Sequence, residues 1–166
     1  MYDIVYENDD IYFTHLNEDF VNEYLKWIND KNIYQYLGGK DKNITLSEEL
    51  EYLSTNKDKD IFSIIDKHTG YLVGNIGINY GGDNETGMFI GIEYQNMGYG
   101  KKALSLFVDY CFNVLGYDYV TLVVFSNNVR AIHMYKSLGF YEYKVEENVK
   151  TLFDEKVDDI YMKKLK

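Results

Sequence analysis

The chain has 166 residues, 46% hydrophobic and 27% charged, and a formal net charge of −10. That length suits one domain with a substantial core and is short for two, no apolar run approaches the about 20 residues of a membrane span, and a single cysteine, Cys111, excludes an internal disulfide. With Arg130 the only arginine among 17 basic residues, the acidic balance argues against binding the phosphate backbone of DNA or RNA.

Residues 1–166 are therefore expected to form a single domain with neither membrane nor nucleic-acid partners. Met1-Tyr2-Asp3-Ile4 has neither the basic nor the apolar region of a signal peptide, so the expected compartment is the cytoplasm, where a lone thiol stays reduced. Charge is unevenly spread: residues 1–60 carry −8, 61–100 carry −3, 101–140 carry +2 and 141–166 carry −1. An anion suits the basic stretch and a cation the acidic half.

In chain order, Ile11 to Leu16 alternates as a strand does. Asn17 is positioned as an N-cap, with Glu18 and Asp19 in the first turn of a helix reaching Ile28. A loop hinged at Gly38-Gly39 follows, then a helix beginning at Thr45 or Ser47, with Leu46, Leu50 and Leu53 inward and Glu48, Glu49 and Glu51 toward water. Ile61 to Ile65 and Leu72 to Ile78 form a hairpin. Gly81-Gly82-Asp83-Asn84 turns into a third strand, Thr86 to Glu93. The next helix buries Leu104, Phe107, Val108, Cys111 and Leu115 at spacings of three and four, and ends near Gly116. Cys111 is thus read as a packed core thiol. Tyr119 to Phe125 is a buried strand, Val129 to Leu138 a short helix stopped by Gly139, and Phe140 to Val145 with Val157 to Lys163 a closing hairpin. Strand, two helices, three strands, helix, strand, helix and two strands make an α/β (α+β) domain: a mixed, mostly antiparallel sheet of about seven strands with about four helices.

Two stretches carry chemistry. Gln95-Asn96-Met97-Gly98-Tyr99-Gly100 lies between a strand and a helix; unpaired amides and the positive end of the helix dipole make such a turn either a phosphate site or a plain turn. Asn128 to Phe140 follows the next strand. His15, His68 and His133 are scattered, and no metal-ligand spacing emerges. A nucleoside-triphosphate site is not indicated, since no lysine followed by serine or threonine completes a phosphate loop.

Taken together, Gln95-Asn96-Met97-Gly98-Tyr99-Gly100 and Asn128-Val129-Arg130-Ala131-Ile132-His133-Met134-Tyr135-Lys136-Ser137-Leu138-Gly139-Phe140 resemble the paired motifs of the GCN5-related N-acetyltransferase (GNAT) superfamily, Q/R-x-x-G-x-G/A and N-x-x-A-x-x-x-Y-x-x-x-G-F. Leu25 to Asp30 and the closing hairpin are similar to the subgroup that includes ribosomal-protein alanine and spermidine acetyltransferases. The resemblance implies acetyl-coenzyme A as co-substrate and no metal. Gln95, Asn96, Met97, Gly98, Tyr99 and Gly100 would hold its pyrophosphate, with charge from Lys101 or Lys102. Ile90, Gly91 and Ile92 would pair with the pantetheine arm and offer an amide to the thioester oxygen. Asn128 would cap its helix and bind the arm, or cap alone. Tyr135 stands at the general-acid position, where a hydroxyl of ordinary pKa near ~10 is protonated at neutral pH; otherwise it is one tyrosine on an apolar face.

The base is the least legible part. Some relatives place a glutamate in the strand before the Asn128 helix, but here that strand reads Thr121-Leu122-Val123-Val124-Phe125. Glu85 is the substitute, set against a water chain through tyrosine hydroxyls and against Glu85 being a solvated loop acid. The implied reaction is acetyl transfer by direct attack in a ternary complex. The acceptor suggested by the acidic half is a small cationic amine of polyamine or aminoglycoside type, with a protein N-terminus or an amino sugar as alternatives. A non-catalytic acyl-coenzyme A sensor is the other reading, and a homodimer is among the implied partners.

Overall fold

The computed structural model describes residues 2–38, 43–150 and 153–166. Strands β1 (Tyr6–Glu7), β2 (Ile11–His15), β3 (Ile61–Asp66), β4 (Leu72–Asn79), β5 (Glu85–Ile90), β6 (Tyr119–Phe125), β7 (Tyr141–Lys150) and β8 (Lys156–Leu165) form one sheet in the order β1-β2-β3-β4-β5-β6-β8-β7. Every pair is antiparallel except β5 with β6. The helices are α1 (Val21–Ile28), α2 (Lys31–Tyr34), α3 (Leu46–Asn56), α4 (Tyr99–Asn113) and α5 (Val129–Ser137). The mixed α/β architecture expected from the order of elements is the one observed, with eight strands and five α-helices among the described residues. Among the described residues, no helix is long and apolar enough to cross a membrane.

Two apolar clusters cover the sheet. The larger joins the inward face of α4, including Leu104, Phe107, Val108 and Cys111, to Phe13, Ile64, Ile76, Leu122, Val124 and Met162; the partly buried Ala131, Met134 and Tyr135 of α5 pack against it. Burial pushes the Cys111 thiol up to about 12, as suits a packing residue. The smaller cluster sits around Trp27, Tyr24, Leu53 and Ile65. Trp27 is 1% exposed, and its ring meets Tyr24, Phe89 and Tyr94 edge-on.

Three local departures from the sequence expectation have physical causes. β1 has two residues and no periodicity to read; it exists because Asn8 Oδ1 accepts the Asp10 and Ile11 amides and turns the chain back on itself. α2 occupies part of the expected loop before Gly38-Gly39: Asp30 caps it by accepting the Asn32 amide, and Ile33 anchors it in the core. Gly38 has the left-handed φ of +85° expected of a hinge, while Gly39 lies outside the described residues. β5 stops at Ile90 instead of running to Glu93. The Glu93 carboxylate accepts from Trp27 Nε1 at 2.8 Å and Lys26 Nζ at 2.7 Å, drawing Ile92–Tyr94 into a 3₁₀ turn beside α1.

The expectation that Glu49 faces water is corrected. A capping box between Thr45 and Glu48 sets the start of α3, and the helix turns Glu49 and Leu53 inward while Leu46 is left 51% exposed. Glu49 is 6% exposed, and burial raises its carboxyl from 4.5 to about 7. A carboxyl harder to ionise when folded opposes folding as pH climbs from its unfolded to its folded value. Glu49→Gln is therefore expected to stabilise the protein by about 2–3 kcal/mol at pH 8, with the gain vanishing below pH ~4.5. Denaturant midpoints at the two pH values check this.

Candidate active site

The parallel pair β5 and β6 makes the site. The two strands are in register at one place, Glu85 opposite Thr121, reinforced by the Thr121 amide on Asn84 O (3.0 Å) and the Thr121 hydroxyl on Asp83 O (2.6 Å). Above that point they diverge into a fork. Gly87 and Ile90 of β5 and Val123 and Phe125 of β6 line a cavity of about 870 Å³ that continues to the start of α4 and along α5. The diverging edges carry backbone groups that the opposite strand does not reach, and such groups favour an extended partner rich in amides.

At the mouth of the fork the chain enters α4. Asn96 and Gly98 both take left-handed backbone conformations, φ +63° and +86°, which turn the chain sharply; Gly98 supplies the N-cap position without a side chain. The first intrahelical bond runs from the Lys102 amide to Gly98 O, so the preceding amides have no acceptor within the helix. The helix start is tied down from both sides. The Tyr99 hydroxyl donates to Asp66 Oδ2 at 2.6 Å, and Lys102 pairs with Asp10 at 3.1 Å. The bond to Asp66, with burial, raises the Tyr99 hydroxyl to about 12. Burial alone would raise Asp66, but Tyr99, Thr69 and His68 donate to its carboxylate and hold it below its usual range.

Arg130 completes the turn, a role the sequence reading did not assign. From the first turn of α5 its guanidinium donates to Asn96 Oδ1 and, at 3.5 Å, to Gln95 Oε1. Gln95 Nε2 donates to Ile90 O at 3.1 Å, so one side chain links the end of β5 to α5. The signal available beforehand was that the chain's only arginine falls inside the second motif.

The remaining candidates divide into two groups. Ile90, Ile92, Gln95, Asn96, Gly98, Tyr99, Gly100, Asn128, Tyr135 and Glu85 all line the cavity. Asn128 caps α5 by accepting the Ala131 amide. Tyr135 is partly buried beside Phe140, and burial raises its hydroxyl to about 12, so it stays protonated throughout the physiological range. Glu85, half-buried at the closed end of the fork, accepts from Asn79 Nδ2 at 2.8 Å. Gly91, Met97 and Lys101 do not line it. Met97 is 63% exposed. The Gly91 amide is engaged by Val73 O, and a Cβ there would sit 2.4 Å from the Trp27 ring, so the lack of a side chain serves Trp27.

A family model described as an acetyltransferase (GNAT) domain matches residues 10–141. The spermidine N(1)-acetyltransferase of Escherichia coli K12 is 42% identical over 53 residues, 32% of this chain. The matched part spans 28% of that relative's length. Among solved structures, a GNAT-family acetyltransferase from Bacillus anthracis superposes with a TM-score of 0.83 at 17% identity, covering 99% of this chain and 98% of the other. Spermidine N-acetyltransferase from Vibrio cholerae, in complex with CoA and spermine, superposes with a TM-score of 0.83 at 22% identity, covering 95% and 96%. At these identities the superpositions establish the fold.

Removing the Arg130 side chain is expected to loosen the turn without unfolding the domain. In Arg130→Ala, amide hydrogen exchange across residues 95–100 should speed up about five- to tenfold, the effect of about 1 kcal/mol of local hydrogen bonding, while exchange in β3 and β4 stays as it is.

Proposed function

The chain belongs to the acetyltransferase (GNAT) domain family and is an acyltransferase, and on that premise we propose that it moves the acetyl group of acetyl-coenzyme A to a primary amine by direct attack in a ternary complex. The acceptor is a small cationic amine of polyamine or aminoglycoside type. The observation that carries this reading is the fork between β5 and β6, joined at Glu85 and Thr121 and open toward the start of α4.

The residues suit the co-substrate at each part. The unpaired amides around Gly98 to Gly100, at the positive end of the 15-residue α4, suit a pyrophosphate. Ile90 at the end of one arm of the fork, Ile92 in the 3₁₀ turn just after it and Asn128 beyond the end of the other arm suit an extended arm carrying two amides. Acetyl-coenzyme A brings an acyl group already activated as a thioester. Tyr135 Oη holds a proton, and its raised pKa keeps the hydroxyl protonated across the physiological range, so a proton is present for a departing sulfur. At the closed end Glu85 provides a carboxylate to receive a proton from the incoming ammonium, and its bond from Asn79 fixes its direction. Residues 1–100 carry a net charge of −11, a field that concentrates cations on this half of the protein. The spermidine acetyltransferase relatives make polyamines the first acceptors to test.

Purified protein with acetyl-coenzyme A is expected to release free thiol in the presence of polyamines or aminoglycosides. Absence of release across these, amino-sugar nucleotides and N-terminal peptides would remove the proposal. Tyr135→Phe should lower kcat by about 10²- to 10⁴-fold while coenzyme A affinity, followed by calorimetry, changes less than about twofold. The wild-type rate should show no declining limb assignable to Tyr135 up to pH ~10.

A further inference from the structure

We propose that Asp159 selects the acceptor, binding the second, non-reacting ammonium of a linear di- or polyamine whose first nitrogen takes the acetyl group. The assignment rests on the amine-acetylation reading above. It comes from strand register. In β8, Asp159 stands opposite Phe125 of β6 on one side and Glu146 of β7 on the other, so all three side chains share one face of the sheet. Thr121, four residues before Phe125, shares that face, and Glu85 is its partner across the fork. The intervening β6 residues Leu122 and Val124 point the other way, into the core against which Tyr135 packs. Glu85, Asp159 and Glu146 therefore gather on the face across the sheet from the proton donor, and Glu85, Asp159 and Tyr135 line one cavity.

Two of these three acids already have partners. Glu146 accepts from Lys144 at 2.5 Å and from the Tyr161 hydroxyl at 3.1 Å, and Glu85 accepts from Asn79. Asp159, half-buried, has no side-chain hydrogen bond or ion pair among the described residues. Burial, then repulsion from Glu146 and Glu85, raises its pKa. Lys163, four residues along β8 and opposite Thr121, lies over the rings of Tyr119 and Tyr143. A partly desolvated carboxylate facing two others is unfavourable unless a cation joins it. Among the described residues no three His, Cys, Asp or Glu side chains are grouped to hold a metal ion. The Thr121-to-Phe125 offset corresponds to about 13 Å of strand, and the side chains of Glu85 and Asp159 reach toward each other closely enough to repel, an arrangement that suits charges spread along a chain, as in an extended polyamine.

The test compares full-length wild type, Asp159→Asn and Asp159→Glu in steady-state kinetics with spermidine and with butylamine, one cation against several. Losing a charge-assisted hydrogen bond should raise the spermidine KM of Asp159→Asn about ten- to hundredfold. Its kcat at saturation, its KM for acetyl-coenzyme A and its KM for butylamine should stay within about twofold, and Asp159→Glu should recover part of the loss. Because the substitution relieves repulsion, the thermal midpoint of Asp159→Asn at pH 8 should equal or exceed that of wild type, which separates recognition from misfolding. An unchanged spermidine KM, or an equal rise for butylamine, overturns the assignment of Asp159 while leaving amine acetylation standing. A wild-type protein that acetylates no amine overturns both.

Discussion

The structure turns on a sheet that is allowed to come apart. β5 and β6 are the one parallel pair among the described strands, in register at Glu85 and Thr121 only, and everything above that point separates. Diverging strands inside a domain are ordinarily unfavourable, because backbone amides and carbonyls lose their partners. Here the separation is held by what flanks it. β5 is paired along its whole length with β4, from Asn79 with Glu85 to Gly74 with Ile90, and β6 along its whole length with β8. Each arm is rigid on its outer side, so the fork stays open and can be filled by a partner of the right length.

The open end has its own supports. The 3₁₀ turn after Ile90 is drawn toward α1 by Glu93 bonding Trp27 and Lys26, and Trp27 fits against Gly91 only because that residue has no side chain. The start of α4 is held by Tyr99 on Asp66 and Lys102 on Asp10, and Arg130 ties the same turn to α5. These bonds place the helix dipole, the amides of the turn and the Tyr135 hydroxyl around one space, with no single element supplying all three.

The other face of the fork is acidic, and its acids differ in how they are satisfied. Glu146 is neutralised by a lysine and Glu85 is oriented by an amide, while Asp159 faces carboxylates. Glu49 carries the same kind of tension elsewhere: a carboxyl buried beside Tyr52 that resists ionising below about 7. Unpaired acids partly withdrawn from water are sites where charge on a ligand, or a proton, has most effect on the protein.

Much of this was legible from the sequence alone, wherever a signal is local. The Gln95-to-Gly100 turn opening a helix, Asn128 as a cap, Cys111 as a core thiol and the order of strands and helices all follow from spacing, caps and periodicity within about twenty residues, and the paired motifs identified the family. Other features required the tertiary structure, because they join residues that no local pattern connects. Arg130 meets Gln95 and Asn96 across 35 and 34 positions; Gly91 answers to Trp27; Glu49 is buried because α3 is set at an angle its composition does not reveal. Asp159 reads in sequence as one of two adjacent acids in a hairpin. Its place opposite Phe125, on the face shared with Glu85, is decided by β8 inserting between β6 and β7, a pairing that strand alternation cannot specify because it fixes which side chains share a face and leaves open which strand lies alongside.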